Sequence, residues 1–269
     1  MSQHNFPSAP RVENITSPAN SLVKEIRRAA GRGSLTTEGL CIAESFHLLE
    51  EALRSGREVP AVLVAESTYK ASAFESLARV LILPDALFQT ISTTEASQGV
   101  IALVKPPRWQ VADVFRGKSL VVVLDGIQDP GNAGAIIRAA EAFGASGAIF
   151  MKGTASPANP KTLRASAGSL FRLPYTAGHD AEATRDALQK ERVVVFAAMP
   201  YTGSEHLAED VDLTRRCALV IGSEGHGIGP ELMSIAEPVA VPTAGVESLN
   251  AAVAAAVLLY EARRQRGPA

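Results

Sequence analysis

The chain has 269 residues, 46% hydrophobic and 20% charged, with a formal net charge of -2. This excludes a disordered chain and allows one large domain or two ordinary ones. The two cysteines, Cys41 and Cys217, lie far apart, which excludes a disulfide framework and suits a reducing compartment.

Residues 1–10 are polar, with no apolar stretch to form a signal peptide. The longest apolar run, 251–260, is shorter than the about 20 residues a bilayer span needs. The chain therefore reads as cytoplasmic, with no membrane partner. The five histidines are scattered and no Cys-x-x-Cys occurs, so no metal is expected.

Ser17-Pro18-Ala19-Asn20 precedes a periodic helix over 21–30. Lys24, Arg27 and Arg28 stand at i, i+3 and i+4 on it and share a face, with Arg32 close behind. A helix follows at 46–54, then strands at 61–64, 80–83 and 99–104. Lys105-Pro106-Pro107-Arg108 marks a boundary, because paired prolines continue neither strand nor helix.

Beyond it the pattern is more regular. Residues 120–124 form a continuous β-branched apolar run, read as a buried parallel strand. A helix over 133–143, a strand at 148–151, a helix over 160–170 and strands at 193–197, 217–221 and 239–241 follow. A helix over 248–264 closes the chain, with Ser248 as its N-cap. Alternating strands and helices predict an α/β domain with a mostly parallel sheet. The division is 11–105 as a smaller α/β domain, 106–119 as linker and first turn, and 120–269 as the main domain.

Charge is unevenly spread. Between Glu141 and Asp180 there is no acid, while Lys152, Lys161, Arg164 and Arg172 occur. With the 24–28 cluster this makes two basic patches suited to phosphate, or else two solvated faces.

Three loops at strand ends carry the chemistry, since open α/β sheets bind ligands outside the carboxyl ends of their strands. The first, 125–134, leads into a helix bearing Arg138 in apolar company: Ala135, Ile136, Ile137, Ala139. A guanidinium so placed needs a partner such as a phosphate, though an ordinary helix-start loop explains the spacing too. The second is Gly222-Ser223-Glu224-Gly225-His226-Gly227, which lets backbone approach a ligand closely or simply turns tightly. His226 reads as an exposed loop residue. The third, 242–250, precedes a helix that is apolar nearly all round, hence a deep core helix or a subunit interface.

Together these segments resemble the SpoU/TrmH-type RNA 2'-O-ribose methyltransferases of the SPOUT superfamily. The matches are Asn132-x-Gly134-x-x-x-Arg138, Gly222-x-Glu224-x-x-Gly227, and Pro242 followed by Ser248-Leu249-Asn250. Ser17-Pro18-x-Asn20-x-x-Val23-Lys24 and Cys41-Ile42-Ala43-Glu44 are similar to the RNA substrate-binding domain often fused to that family. A glycine usually follows that glutamate; here Ser45 does. Thr243 stands where methionine is frequent.

The resemblance implies a deep C-terminal trefoil knot, a homodimer through the knot region, and S-adenosyl-L-methionine as cofactor. It implies methylation of an RNA ribose 2'-hydroxyl, in ribosomal RNA ahead of transfer RNA. It implies Asn132, Arg138, Glu224, Ser248 and Asn250 as the catalytic set. It also implies Ala198, Gly222, Val241 and Leu249 around the cofactor. Lys24, Arg27, Arg28 and Arg164 are the candidate RNA contacts. Physically, Arg138 suits phosphate binding and oxyanion stabilisation better than proton abstraction, because arginine is almost never neutral. Two rival readings are a nicotinamide-dependent oxidoreductase and a non-catalytic RNA-binding module. The first lacks an acid ending its second strand, and the second sits badly with five motif residues present together.

Overall fold

The structure, a computed structural model, describes residues 11–74, 77 and 79–267, so the polar segment 1–10 lies outside the described residues. The chain divides into two compact units. One takes the chain up to Pro107 together with 158–164, and the other takes 108–157 and 165 onward.

The first unit begins with β1 (Arg11–Asn14) and α1 (Ser21–Arg32). It continues through β2 (Cys41–Glu44), α2 (Phe46–Arg54), β3 (Ala61–Ala65), β4 (Arg79–Leu83), α3 (Asp85–Gln89) and β5 (Val100–Val104). The sheet order is β1-β4-β3-β5-β2, with the first two pairings parallel and the last two antiparallel. Asn20 caps α1 by accepting from the Leu22 and Val23 amides, and Gly33 ends it at φ 60°. Val23, Ile26 and Ala29 on one face of α1 bury against Ile42, Leu63, Leu81 and Ile101 of the sheet. This leaves Lys24, Arg27 and Arg28 exposed.

The second unit opens with α4 (Val111–Val114), β6 (Leu120–Asp125), α5 (Pro130–Ala142) and β7 (Gly147–Met151). α6 (Pro160–Ala165), most of which belongs to the first unit, leads to β8 (Tyr175–His179) and α7 (Ala181–Lys190). β9 (Val194–Met199), β10 (His206–Leu207), β11 (Cys217–Gly222), α8 (Pro230–Met233), β12 (Ala236–Ala240) and α9 (Ala251–Arg266) complete it. Its seven strands run β10-β12-β9-β11-β6-β7-β8, every pairing parallel. Interior strand β6 is buried from Leu120 to Leu124, as a strand covered on both faces must be.

Several elements differ from the sequence reading. The helix expected over 160–170 stops at Ala165, because Ala167 and Gly168 take positive φ of 48° and 89° and a short 3-10 turn follows. The final helix starts at Ala251 with Asn250 as its cap, so Ser248 is not the cap residue. That helix is not buried all round. Ala255, Leu258 and Leu259 face inward, while Val253, Val257 and Tyr260 are exposed at 49%, 38% and 56%. Helix α7 was passed over, although its start was written in Asp180, whose side chain accepts from the Ala183 amide.

Among the described residues no helix is long and apolar enough to cross a membrane, and no group of three or more His, Cys, Asp or Glu could hold a metal. Both cysteines are buried, and burial pushes the Cys41 thiol up to about 12.

Candidate active site

All three motif loops emerge at the carboxyl ends of strands in the second unit. In the first loop, the Asp129 side chain caps α5 by accepting from the Asn132 amide at 2.8 Å. In the second, Ser223 and Gly227 bond to each other through both backbone pairs, closing a tight loop over 223–227. The Asp125 carboxylate, at the end of β6, fixes the far side of that loop by accepting from the Gly229 amide at 2.8 Å. Sequence reading missed Asp125, although its place as last residue of a buried strand was a signal.

Gly222 is required by packing. A Cβ there would meet the Gly227 carbonyl carbon at 2.4 Å and oxygen at 2.5 Å, and neither backbone atom can yield. A side chain at 222 would therefore clash within the loop itself.

Three side chains from distant parts of the sequence converge. Asn250 caps α9, its Oδ1 accepting from the Ala252 and Val253 amides, which directs its Nδ2 the other way. That Nδ2 donates to Asn132 Oδ1 at 3.2 Å and to Glu224 Oε1 at 3.1 Å. Asn132 Nδ2 in turn donates to Glu224 Oε1 at 3.4 Å. The triangle joins the start of α5, the glycine loop and the start of α9.

Beside it lies a cavity of about 370 Å³ at the ends of β9, β11 and β12. Its lining includes the four expected cofactor residues, Ala198, Gly222, Val241 and Leu249, as well as Glu224 and Ser248. It also includes Met199, Tyr201, Ile221, Val239 and Leu258, which sequence reading did not name because apolar wall residues look like ordinary core. A second cavity of about 220 Å³ is lined by Gln128, Asp129, Asn132, Gly225 and His226. The two share Ser223, Glu224 and Ala251 as walls.

Arg138 does not join this cluster. It is exposed on α5, lines neither cavity, and has no ion pair or hydrogen bond among the described residues. Ala133, Ile136, Ile137 and Ala140 are buried, while the helix turns Arg138 outward, as an ordinary helix-start arginine would be.

The acid-free stretch 142–179 is also not a free basic patch. Arg172 bonds Glu141 at 2.6 Å and Lys152 bonds Asp180 at 3.1 Å, the two acids that bound the stretch. Burial alone would push the Glu141 carboxyl up, but hydrogen bonds from Arg172 and Ser169 hold it below the usual range. The Ala183 amide, then Lys152, does the same for Asp180.

In the first unit, Arg164 is engaged by protein. Its guanidinium donates to the Thr93 hydroxyl and carbonyl and lies 3.6 Å from the buried Glu44 carboxylate. Glu44 also accepts from Ser92 Oγ at 2.6 Å, the Thr93 amide at 2.7 Å, Thr93 Oγ1 at 2.5 Å and Ser97 Oγ at 2.8 Å. Of the other expected RNA contacts, Arg27 donates to the Thr90 hydroxyl and carbonyl and Arg28 lies 3.9 Å from Glu25. Lys24 has no partner among the described residues.

Residues 119–260 match the SpoU rRNA Methylase family, and residues 20–102 match the MRM3-like substrate binding domain. The chain is 32% identical to the 23S rRNA (guanosine(2553)-2'-O)-methyltransferase RlmP of Bacillus subtilis, over 94% of this chain and 100% of that one. It is 35% identical to the 23S rRNA (uridine(2479)-2'-O)-methyltransferase of Streptomyces viridochromogenes, over 70% of this chain and 68% of the relative. Among solved structures, the SpoU methyltransferase AviRb of Streptomyces viridochromogenes in complex with AdoMet superimposes with a TM-score of 0.83 at 29% identity. That match covers 92% of this chain and 98% of the other. An AdoMet-bound rRNA methyltransferase from Sinorhizobium meliloti gives 0.81 at 29% identity, covering 94% and 98%.

Proposed function

The chain belongs to the SpoU rRNA methylase family, and from that premise we propose that it transfers a methyl group from S-adenosyl-L-methionine to a ribose 2'-hydroxyl of ribosomal RNA. The carrying observation is the 370 Å³ cavity at the strand ends, walled by Glu224 of the Asn132–Glu224–Asn250 triangle. Its size suits a nucleoside-sized ligand. Its mostly apolar wall suits the adenosyl group, while backbone at Gly222, Val241 and Leu249 supplies hydrogen bonds. The cofactor supplies a methyl group on a positively charged sulfur, which leaves as a neutral thioether.

The protein's work is positioning. An in-line displacement needs the attacking oxygen about 3–3.5 Å from the methyl carbon. The second cavity, across Ser223 and Glu224 from the first, is the seat for the ribose. Ser248, in the wall of the first cavity, would help hold the cofactor there by hydrogen bonding. Arg138, exposed and with no side-chain partner among the described residues, takes an RNA phosphate and through it stabilises charge developing on the oxygen.

The first unit supplies RNA affinity, with Lys24, Arg27 and Arg28 on the exposed face of α1 as its phosphate contacts. Arg164 is left out of this role because its guanidinium is spent on Glu44 and Thr93. Two copies pair through α9 and α5. Val253, Val257 and Tyr260 form an exposed apolar strip beside Ala135 and Phe143, with Tyr260 edge-on to Phe143 at 5.7 Å. The trefoil knot of the superfamily and a cytoplasmic location complete this reading.

Mapping 2'-O-methyl sites in total RNA with and without the gene tests the function. One ribosomal position that loses its methyl group is the expected result. A lost transfer-RNA position would move the substrate, and an unchanged map would sink the reading. Sedimentation at micromolar concentration checks the pairing, where a monomer would remove it.

A further inference from the structure

Resting on that reading, we propose that Glu224 is the group that takes the proton of the attacking 2'-hydroxyl, through its second carboxylate oxygen, Oε2. The orientation of the carboxylate follows step by step from the capping of α9. Because Asn250 Oδ1 accepts two helix amides, its Nδ2 must face the triangle. Because Asn132 Oδ1 accepts from that Nδ2, Asn132 must present its own Nδ2 to Glu224. Two amide donors thus meet at Oε1. That arrangement suits an ionised carboxylate and pins its rotation. Oε2 has no hydrogen bond or ion pair among the described residues, and Glu224 is exposed.

Position makes the same case. Glu224 is one of three residues that wall both cavities, and of those three it alone carries a basic group. A methyl group passing from one cavity to the other passes Glu224. Asn132 lines the second cavity alone, and Arg138 lines neither. The step balances without further reactants. The ribose O–C bond forms as the C–S bond breaks, and that electron pair passes to sulfur. The hydroxyl proton moves to Oε2 and is lost to water afterwards.

The discriminating variant is Glu224→Gln. Its amide oxygen still accepts from Asn132 and Asn250, so the triangle persists, but its nitrogen cannot take a proton. Ribosomal RNA from a strain lacking the gene is the substrate, under single-turnover conditions. The rate of E224Q should fall by about 10²- to 10⁴-fold. Its residual rate should rise about tenfold per pH unit, as solvent hydroxide takes over the proton. Affinity for S-adenosylhomocysteine, measured by calorimetry, should stay within about threefold of wild type, well under the roughly 1.4 kcal/mol of a tenfold change. A rate within about threefold of wild type, on that same scale, overturns the proposal. So does a rate loss matched by an equal loss of S-adenosylhomocysteine affinity, which would make Glu224 only a wall of the cofactor cavity. If wild type transfers no methyl to this RNA, the functional reading fails and takes the proposal with it. If wild type and E224Q both transfer at similar rates, only the role of Glu224 fails.

Discussion

Glu44 ends a strand in one unit, Glu224 follows a strand in the other, and the two have opposite fates. Glu44 is 1% exposed and receives three hydroxyls, a backbone amide and a guanidinium, so every lone pair is spent inside the protein. Glu224 is exposed, with one oxygen held by two asparagines and the other without a partner among the described residues. The arginines repeat the contrast: Arg164 is consumed by Glu44 and Thr93, and Arg138 has no protein partner among the described residues. The same two residue types build a frame in one unit and belong to the proposed reaction site in the other. What separates them is whether the surrounding chain satisfies the charge or leaves it for a ligand.

The comparison breaks most sharply at Glu44. Replacing it by alanine strands a partly buried guanidinium and several donors, and breaking such a pair costs about 3–5 kcal/mol. Denaturant unfolding of Glu44→Ala should show that loss in the first unit, while S-adenosylhomocysteine still binds the second. A cost below about 1 kcal/mol would mean that the network contributes little.

Next in size is Arg138→Ala. It should leave unfolding and cofactor affinity unchanged, since Arg138 makes no side-chain hydrogen bond or ion pair among the described residues, and lower single-turnover methylation by about 10²- to 10³-fold. Arg138→Lys should recover only part, lacking the planar two-donor fork. A near-normal rate for the alanine variant would remove Arg138 from the chemistry.

The smallest effect concerns Ser45, directly after Glu44. It sits at φ 146°, ψ 159°, a region that is nearly glycine's alone and costs a side chain about 1–3 kcal/mol. It keeps its place by capping α2, accepting from the Leu48 amide at 3.1 Å. Glycine would lose only a few tenths of a kcal/mol as a cap and some chain entropy. Ser45→Gly should therefore stabilise by about 0.5–1 kcal/mol and Ser45→Ala should destabilise by about 1. A drop in the unfolding midpoint for Ser45→Gly would show the cap outweighing the strain.

Much of this was legible in the sequence. The parallel sheet followed from unbroken β-branched runs such as 120–124, and the family resemblance named Ala198, Gly222, Val241 and Leu249, which all line the first cavity. The triangle was not legible as a contact, because spacing names Asn132, Glu224 and Asn250 but not which amide faces which carboxylate; that is settled by the cap of α9. For Arg138 the sequence left two readings open, a partnered guanidinium in apolar company and an ordinary helix-start arginine, because its neighbours in sequence are apolar. A helix rotates about 100° per residue, so neighbours in sequence do not share a face. The basic stretch failed for a related reason. Glu141 and Asp180, outside it in sequence, fold back onto Arg172 and Lys152.

The pairing of Glu44 with Arg164 also sets a schedule. Arg164 belongs to the first unit yet emerges from the ribosome about 120 residues after Glu44, behind the opening strands of the other unit. At about 5–20 residues per second, that is a wait of roughly 6–24 s. Through that interval the nascent first unit holds a carboxylate in its interior with hydroxyls but no countercharge. Completion of the amino-terminal unit is thus tied to synthesis of the carboxyl-terminal one. A stall in translation before residue 164 leaves a domain that is long since extruded but not yet finished.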